Sequence, residues 1–240
     1  MPASPKPRLR YPVRVKRFPG KIYHLCEVFK VGSKSFIISL LKSKIVAVTL
    51  KTKEGETTYH LHSSLLCRES KRFLKDLTWL GGLHKEASNL TIDLVDESEF
   101  HFMSFVAYLY GRFVPPVNDA THMIRLAELY AMAERFMADG FAKTLEDAFI
   151  SKYSVVQYTS QQIYDLLHIA YDFITQRNPE DQMRDCIFHL AASKLTKLRL
   201  FDPFRNLLHY DPELAVEICL RVGGTPDRRK LNNTPVDMQK

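Results

Sequence analysis

At 240 residues, 45% hydrophobic and 25% charged, the chain is long enough to bury one good core and has the composition of an ordinary folded protein. Its longest apolar stretch, residues 36–41, falls far short of the ~20 residues that cross a bilayer, so no membrane span is read. The net charge of +7 belongs to the ends: residues 1–21 hold seven basic side chains and no acid, the stretch from Gly223 adds +2, and the segment between is left at −2. That distribution argues against a folded basic surface for nucleic acid.

Residues 1–24 carry Pro2, Pro5, Pro7, Pro12 and Pro19 among those basic residues. Proline blocks helix and like charges repel, so this part reads as a flexible arm. Arg14, Lys16 and Arg17 are its candidate import or phosphate-contacting residues. No apolar block follows that would make a secretory leader, and the prolines argue against a mitochondrial presequence. The cysteines, Cys26, Cys67, Cys186 and Cys219, are widely spaced and form no CxxC pair. They read as free thiols in a reducing compartment, which places the protein inside the cell, in the nucleus, the cytoplasm or both.

The first strong pattern spans residues 44–73. Val46, Val48 and Leu50 alternate on one arm and Thr57, Tyr59 and Leu61 on the other, around a turn at Glu54-Gly55, which predicts a β-hairpin. A short helix with Leu65, Leu66 and Phe73 follows, and residues 90–94 alternate as a third strand. Asp96 is the expected N-cap of the next helix, with Glu99 completing a capping box and Phe102, Phe105, Val106 and Leu109 inward. After Pro115-Pro116, Asn118 or Asp119 caps a helix whose stripe is Leu126, Leu129, Tyr130, Ala133, Phe136 and Met137. Asp139-Gly140 opens another, with Phe141, Leu145, Ala148 and Phe149 inward. From Thr159 the pattern is helical throughout. Thr159 and Gln162 form a capping box ahead of Ile163, Leu166, Leu167, Ala170, Tyr171 and Ile174. Asn178-Pro179 opens a helix over Met183, Ile187, Leu190 and Ala191, with Leu195 at its end. Asp211-Pro212 opens the last, with Leu214, Ile218 and Leu220 or Val222 inward and Gly223-Gly224 beyond it.

The order His62-x-x-Leu65-Leu66-x-x-x-Ser70-x-x-Phe73 directly after the second strand resembles the BTB/POZ domain, in particular its divergent stand-alone fungal-type members. Leu109-Tyr110-Gly111 is similar to that family's "LYTG" element, and residues 126–136, with Leu129, Tyr130 and Ala133, to its "LYxLAxKF" helix. Residues 40–48 resemble the strand entry of the fungal-type subgroup. Two departures stand out. Lys44 lies where animal members commonly open the first strand with Asp, and the approach to the third strand, residues 78–82, is atypical.

The resemblance implies an α+β protein: a BTB/POZ-like core of a small sheet with a helical cluster over residues 25–153, an all-helical extension over 154–222 and a disordered tail over 223–240. It implies a non-enzymatic module that binds other proteins or itself as a homodimer. Members that recruit cullin scaffolds often carry an apolar-x-Glu motif before the third strand. Here Glu86 matches the acid, His84 stands where Phe or Met is usual, and Leu83 is one place early, which leaves a cullin partner in doubt. Leu83 and Glu86 are the candidate contacts for that partner, with Trp79 as a candidate interface anchor.

Residue chemistry was weighed beside that resemblance. His60 and His62 share one face of a strand, with Cys67 near and His24-x-Cys26 upstream, but zinc needs about four converging ligands and no second pair has the spacing. GxSxG, HExxH, GxxxxGK[ST] and GxGxxG are all missing, and His168, His189 and His209 fall on separate segments. The expectation is no enzyme, no metal and no cofactor. Two alternatives are kept: a substrate adaptor of a cullin-type ubiquitin ligase, and a nuclear nucleic-acid-associated protein acting through the basic arm.

Overall fold

The computed structural model describes residue 38 and residues 40–53, 55–83, 91–174 and 181–223, with the backbone alone for 79–83. Among the described residues, a three-stranded mixed sheet is joined by ten helices from Ser63 onward, two of them between its second and third strands, so the protein is α+β with a mostly helical C-terminal part. Strands β1 (Ile45–Thr52) and β2 (Gly55–His62) form the expected antiparallel hairpin, with Val48 opposite Tyr59 and Val46 opposite Leu61. Gly55 sits at φ 144°, a backbone state that glycine adopts without a Cβ clash. Strand β3 (Thr91–Val95) lies parallel to β1 on its other side, giving the order β2-β1-β3. Val46, Val48, Leu50, Ile92 and Leu94 point to one buried face, as period-2 alternation requires.

The crossover from β2 to β3 holds two helices, α1 (Ser63–Glu69) and α2 (Lys71–Leu83), and the break between them falls inside the stretch Leu65–Phe73 that reads as one helix. Between them Ser70 is extended at φ −135°, ψ 120°. Its carbonyl accepts the first α2 bond, from Leu74, while its Oγ accepts from the Phe73 N–H at 3.1 Å, which makes it the N-cap of α2.

Helix α3 (Glu99–Gly111) buries Phe102, Phe105 and Leu109, with Val106 partly covered, as read. Its start corrects the reading. Asp96 is not the N-cap; it sits in the left-handed region at φ 60°, its N–H bonded to Lys51 O. Ser98 takes the cap position without a side-chain bond, because the bend needed to leave β3 is made two residues earlier. Helix α4 (Ala120–Arg135) is capped by Asp119, whose Oδ1 accepts the His122 N–H at 3.0 Å. Its stripe is buried through Phe136, but Met137 is 45% exposed at φ 51°: the chain turns left-handed there to start α5 (Asp139–Lys152), and the side chain swings out of register.

Helix α6 (Ser160–Asp172) has the predicted capping box, Thr159 with Gln162. Helix α7 (Gln182–Ser193) is capped by Asp181 rather than Asn178, because the Asp181 carboxylate accepts the Arg184 N–H; Asn178 and Pro179 lie outside the described residues. Helices α8 (Leu195–Leu198) and α9 (Asp202–Tyr210) follow. Both α9 and α10 (Pro212–Cys219) begin at an Asp-Pro pair, but Asp211 caps α10 through the Leu214 N–H, whereas Asp202 is the first residue of α9 and its N-cap position is held by Phe201 without a side-chain bond. In α10 Leu214 and Ile218 are buried, but Leu220 and Val222 are exposed, because the helix ends at Cys219 and the turn carries them outward. One apolar cluster runs from Val46 to Ile218.

Candidate protein-interaction site

Three of the four stretches that carry the family resemblance, 62–73, 109–111 and 126–136, are brought together by the fold. His62 ends β2 and occupies the N-cap position of α1. Its Nδ1 lies 2.8 Å from the Tyr110 hydroxyl, which also accepts the His62 N–H at 3.2 Å. A residue at a strand-to-helix step and one at the end of α3 thus lock each other. Ser70, buried to 1% exposure, donates its Oγ–H to the Phe136 carbonyl and so ties the α1–α2 step to the end of α4. Phe73 stacks on Phe105 with ring centroids 6.2 Å apart and meets Phe136 edge-on at 5.3 Å. Leu65, Leu66, Leu109, Leu129 and Ala133 are all buried in the same cluster, and Gly111 closes α3.

Two polar arrangements stiffen this region. The Arg112 guanidinium grips the Glu69 carboxylate with two bonds, 2.7 and 2.6 Å, and lies over the Tyr108 ring at 4.7 Å. Burial alone would push the Glu69 carboxyl up; the bonds from Arg112 and Arg68 outweigh it and hold the group below the ordinary carboxylate range. Arg112 is itself left-handed at φ 56°, which aims its side chain back along α3. On the sheet side the Tyr59 hydroxyl donates to Glu99, and burial together with that carboxylate pushes its pKa up to about 12.

A cleft of about 520 Å³ opens between α4, α5 and the start of α7. Its carboxylates are engaged in joining helices. Glu146 accepts from the Gln182 N–H at 3.2 Å and from Lys143 at 2.8 Å, and Asp181 accepts from the Tyr130 hydroxyl at 3.1 Å while capping α7. Asp139 pairs with Lys71 across the mouth. Burial first, then the surrounding carboxylates, raises the Tyr130 pKa, so its hydroxyl stays a donor. Tyr130, read from the sequence as a core residue, is also the seam between α4 and α7.

Trp79 and Leu83 lie on the last turns of α2, for which the backbone alone is described, and Glu86 lies outside the described residues, as do Arg14, Lys16 and Arg17. His60 stands exposed on β2, while His62 is turned to Tyr110, so these two do not converge. Among the described residues no three His, Cys, Asp or Glu side chains group as metal ligands. Cys67, Cys186 and Cys219 are free thiols, and no described helix is long and apolar enough to cross a membrane. Sequence reasoning missed the Glu69–Arg112 pair: 43 positions separate the two, and no local pattern links them. Compared with known proteins, the chain matches no family model and no curated protein.

Proposed function

We propose that this protein is a non-enzymatic interaction module of BTB/POZ type, working by self-association or as a scaffold or adaptor. The observation that carries the reading is the convergence of its motif blocks. The His62–Tyr110 and Ser70–Phe136 bonds and the Phe73–Phe136 ring contact join residues 48 to 66 positions apart, each pair linking two quoted motif blocks. A chance likeness in short motifs gives no reason for those blocks to hold one another in place. The core supplies rigidity, and binding energy comes from apolar area removed from water at a partner face, for which no chemistry is required. The end of α2, with Trp79 and Leu83 and with Glu86 after it, is the face assigned to a cullin scaffold in the narrower, adaptor form of the reading.

Calorimetric titration of the purified chain with a cullin N-terminal domain, with light scattering on the same sample, tests both forms. Saturable binding lost on Glu86→Ala or Leu83→Ala establishes the adaptor. No binding with a clean dimer mass establishes self-association. No binding and a monomer mass at every concentration removes both.

A further inference from the structure

Strand β2 is the outer strand of the sheet, paired among the described residues with β1 alone. In an antiparallel ladder every second facing pair exchanges its backbone bonds, and the residues of the pairs between point theirs away from each other. Two bonds fix the phase here. Lys51 O accepts the Asp96 N–H on the β3 side, so Lys51 and its facing residue Glu56 both turn their backbone groups outward. At the other end His62, on the same alternation, sends its N–H to the Tyr110 hydroxyl. Glu56, Thr58 and His60 therefore direct their N–H and C=O groups along the edge, and all three residues are exposed. Such an edge is a template for another strand, and natural ones are blunted by proline, lysine or a bulge. Strand β2 has none of these, and its register is unbroken from Gly55 to His62.

The open run ends where Tyr110 takes up His62, so it covers 56–60 and its centre is Thr58. A second copy laid antiparallel about that centre sets Thr58 against the partner's Thr58, Glu56 against the partner's His60, and His60 against the partner's Glu56. All of these side chains lie on the face away from the core, and each facing pair can exchange both its backbone bonds. An acid meets a base at both outer positions. Moving the centre to Glu56 or to His60 would instead set like against like. This self-complementary register favours a second copy over an unrelated extended peptide.

Helix α3 lies along the same strand. Glu99 accepts the Tyr59 hydroxyl, and Tyr110, about three turns on, bonds His62. The side of α3 that carries these two also carries Met103, one turn after Glu99 and 42% exposed, with Phe100, 48% exposed, next to it. The edge is thus flanked by apolar surface that a symmetric partner can cover.

We propose that β2 pairs with β2 of a second copy about a twofold axis at Thr58, joining the two sheets into one and bringing the two α3 helices side by side beneath it. The proposal rests on the self-association form of the function proposed above and names its surface.

The test begins with light scattering of the full chain and of Thr58→Pro over a concentration series. Proline at 58 removes an N–H that β1 does not use, so an edge strand accommodates it while the pairing is blocked. The expected result is a dimer mass for the wild type, halved in Thr58→Pro, with the far-UV circular dichroism unchanged. A second chain, with Cys26→Ser, Cys67→Ser and Cys219→Ser, carries Thr58→Cys and is oxidised mildly; the expected product is a dimer joined through position 58, mapped by peptide mass spectrometry. His60→Cys in the same background should give none, because each His60 lies four residues, about 13 Å along the strand, from its own copy across the axis. A dimer that persists in Thr58→Pro and is not joined through position 58 overturns this surface and leaves self-association standing. Equal cross-linking at 58 and 60 overturns the register, and a monomer mass for the wild type at every concentration overturns self-association as well. The cysteine pair keeps the test decisive should Thr58→Pro misfold.

Discussion

Replacing Ser70 separates its two roles. Its Oγ accepts from the Phe73 N–H, the N-cap bond of α2, and donates to the Phe136 carbonyl, at a site only 1% exposed. Ser70→Ala removes both. Loss of an N-cap costs about 1 kcal/mol. The Phe136 carbonyl keeps a longer bond from the Arg72 N–H at 3.4 Å, so its loss is that of one ordinary hydrogen bond, about 1 kcal/mol. The sum, about 2 kcal/mol, corresponds to a fall in Tm of about 4–8 °C for a domain of this size. Ser70→Asp keeps an excellent cap acceptor but cannot donate, and it forces a carboxylate against the Phe136 carbonyl without water. The order of stability is therefore wild type, then Ser70→Ala, then Ser70→Asp, read by thermal and urea unfolding followed by circular dichroism. If Ser70→Asp is as stable as Ser70→Ala or more so, Ser70 is a cap and nothing else, and the tie between the α1–α2 step and the end of α4 contributes no stability.

The Glu69–Arg112 pair gives a pH signature. Because the Glu69 pKa is lowered in the folded state, its stabilisation is present above the unfolded carboxylate pKa and is lost as pH falls through the folded value. Wild type and Glu69→Gln should thus differ most near neutral pH and converge in urea unfolding series below roughly pH 4; a gap that widens on acidification contradicts the assignment. The cysteines give a second check. Burial pushes the Cys186 thiol up to about 12, with Asp185 adding to it, whereas Cys219 is exposed. Alkylation at mildly alkaline pH should mark Cys219 within the native protein and reach Cys186 only on unfolding, as mapped by peptide mass spectrometry; equal labelling of both thiols contradicts the burial.

Local rules carried the elements and failed where the backbone leaves them. The hairpin was legible because two alternating runs flank a glycine, and the Thr159 and Asp211 caps because a side chain two or three residues from its target is a local matter. Asp96 and Met137 misled for one reason. Both sit in left-handed backbone, where a single residue redirects the chain, and neither is a glycine that would have announced it. The break at Ser70 was hidden because Leu65, Leu66 and Phe73 fit one helical stripe; the serine's extended conformation is set by the Phe136 carbonyl, 66 residues away. At the candidate site, the motif residues were identifiable one by one, but their pairing was not. His62 with Tyr110 and Tyr130 with Asp181 are products of how helices cross.

The polar contacts in this protein are distributed in a way that bears on how the fold is specified. Leu and Phe side chains fill the core from β1 to α10, and such a core tolerates sliding and repacking at modest cost. Several of the long-range polar bonds have a partner at an element end: His62 and Tyr110 at the ends of β2 and α3, Ser70 between α1 and α2, Arg112 after α3, Asp181 before α7. An element end is where backbone N–H and C=O groups lack helical partners. A side chain that satisfies one of them from another element fixes that element's position along its axis as well as its angle. Apolar burial supplies the free energy and does not by itself distinguish one axial register from the next; a bond to a particular carbonyl or N–H does. For a protein proposed to present a fixed face to partners, this division is what keeps α2, which carries that face, from sliding on its bed of phenylalanines.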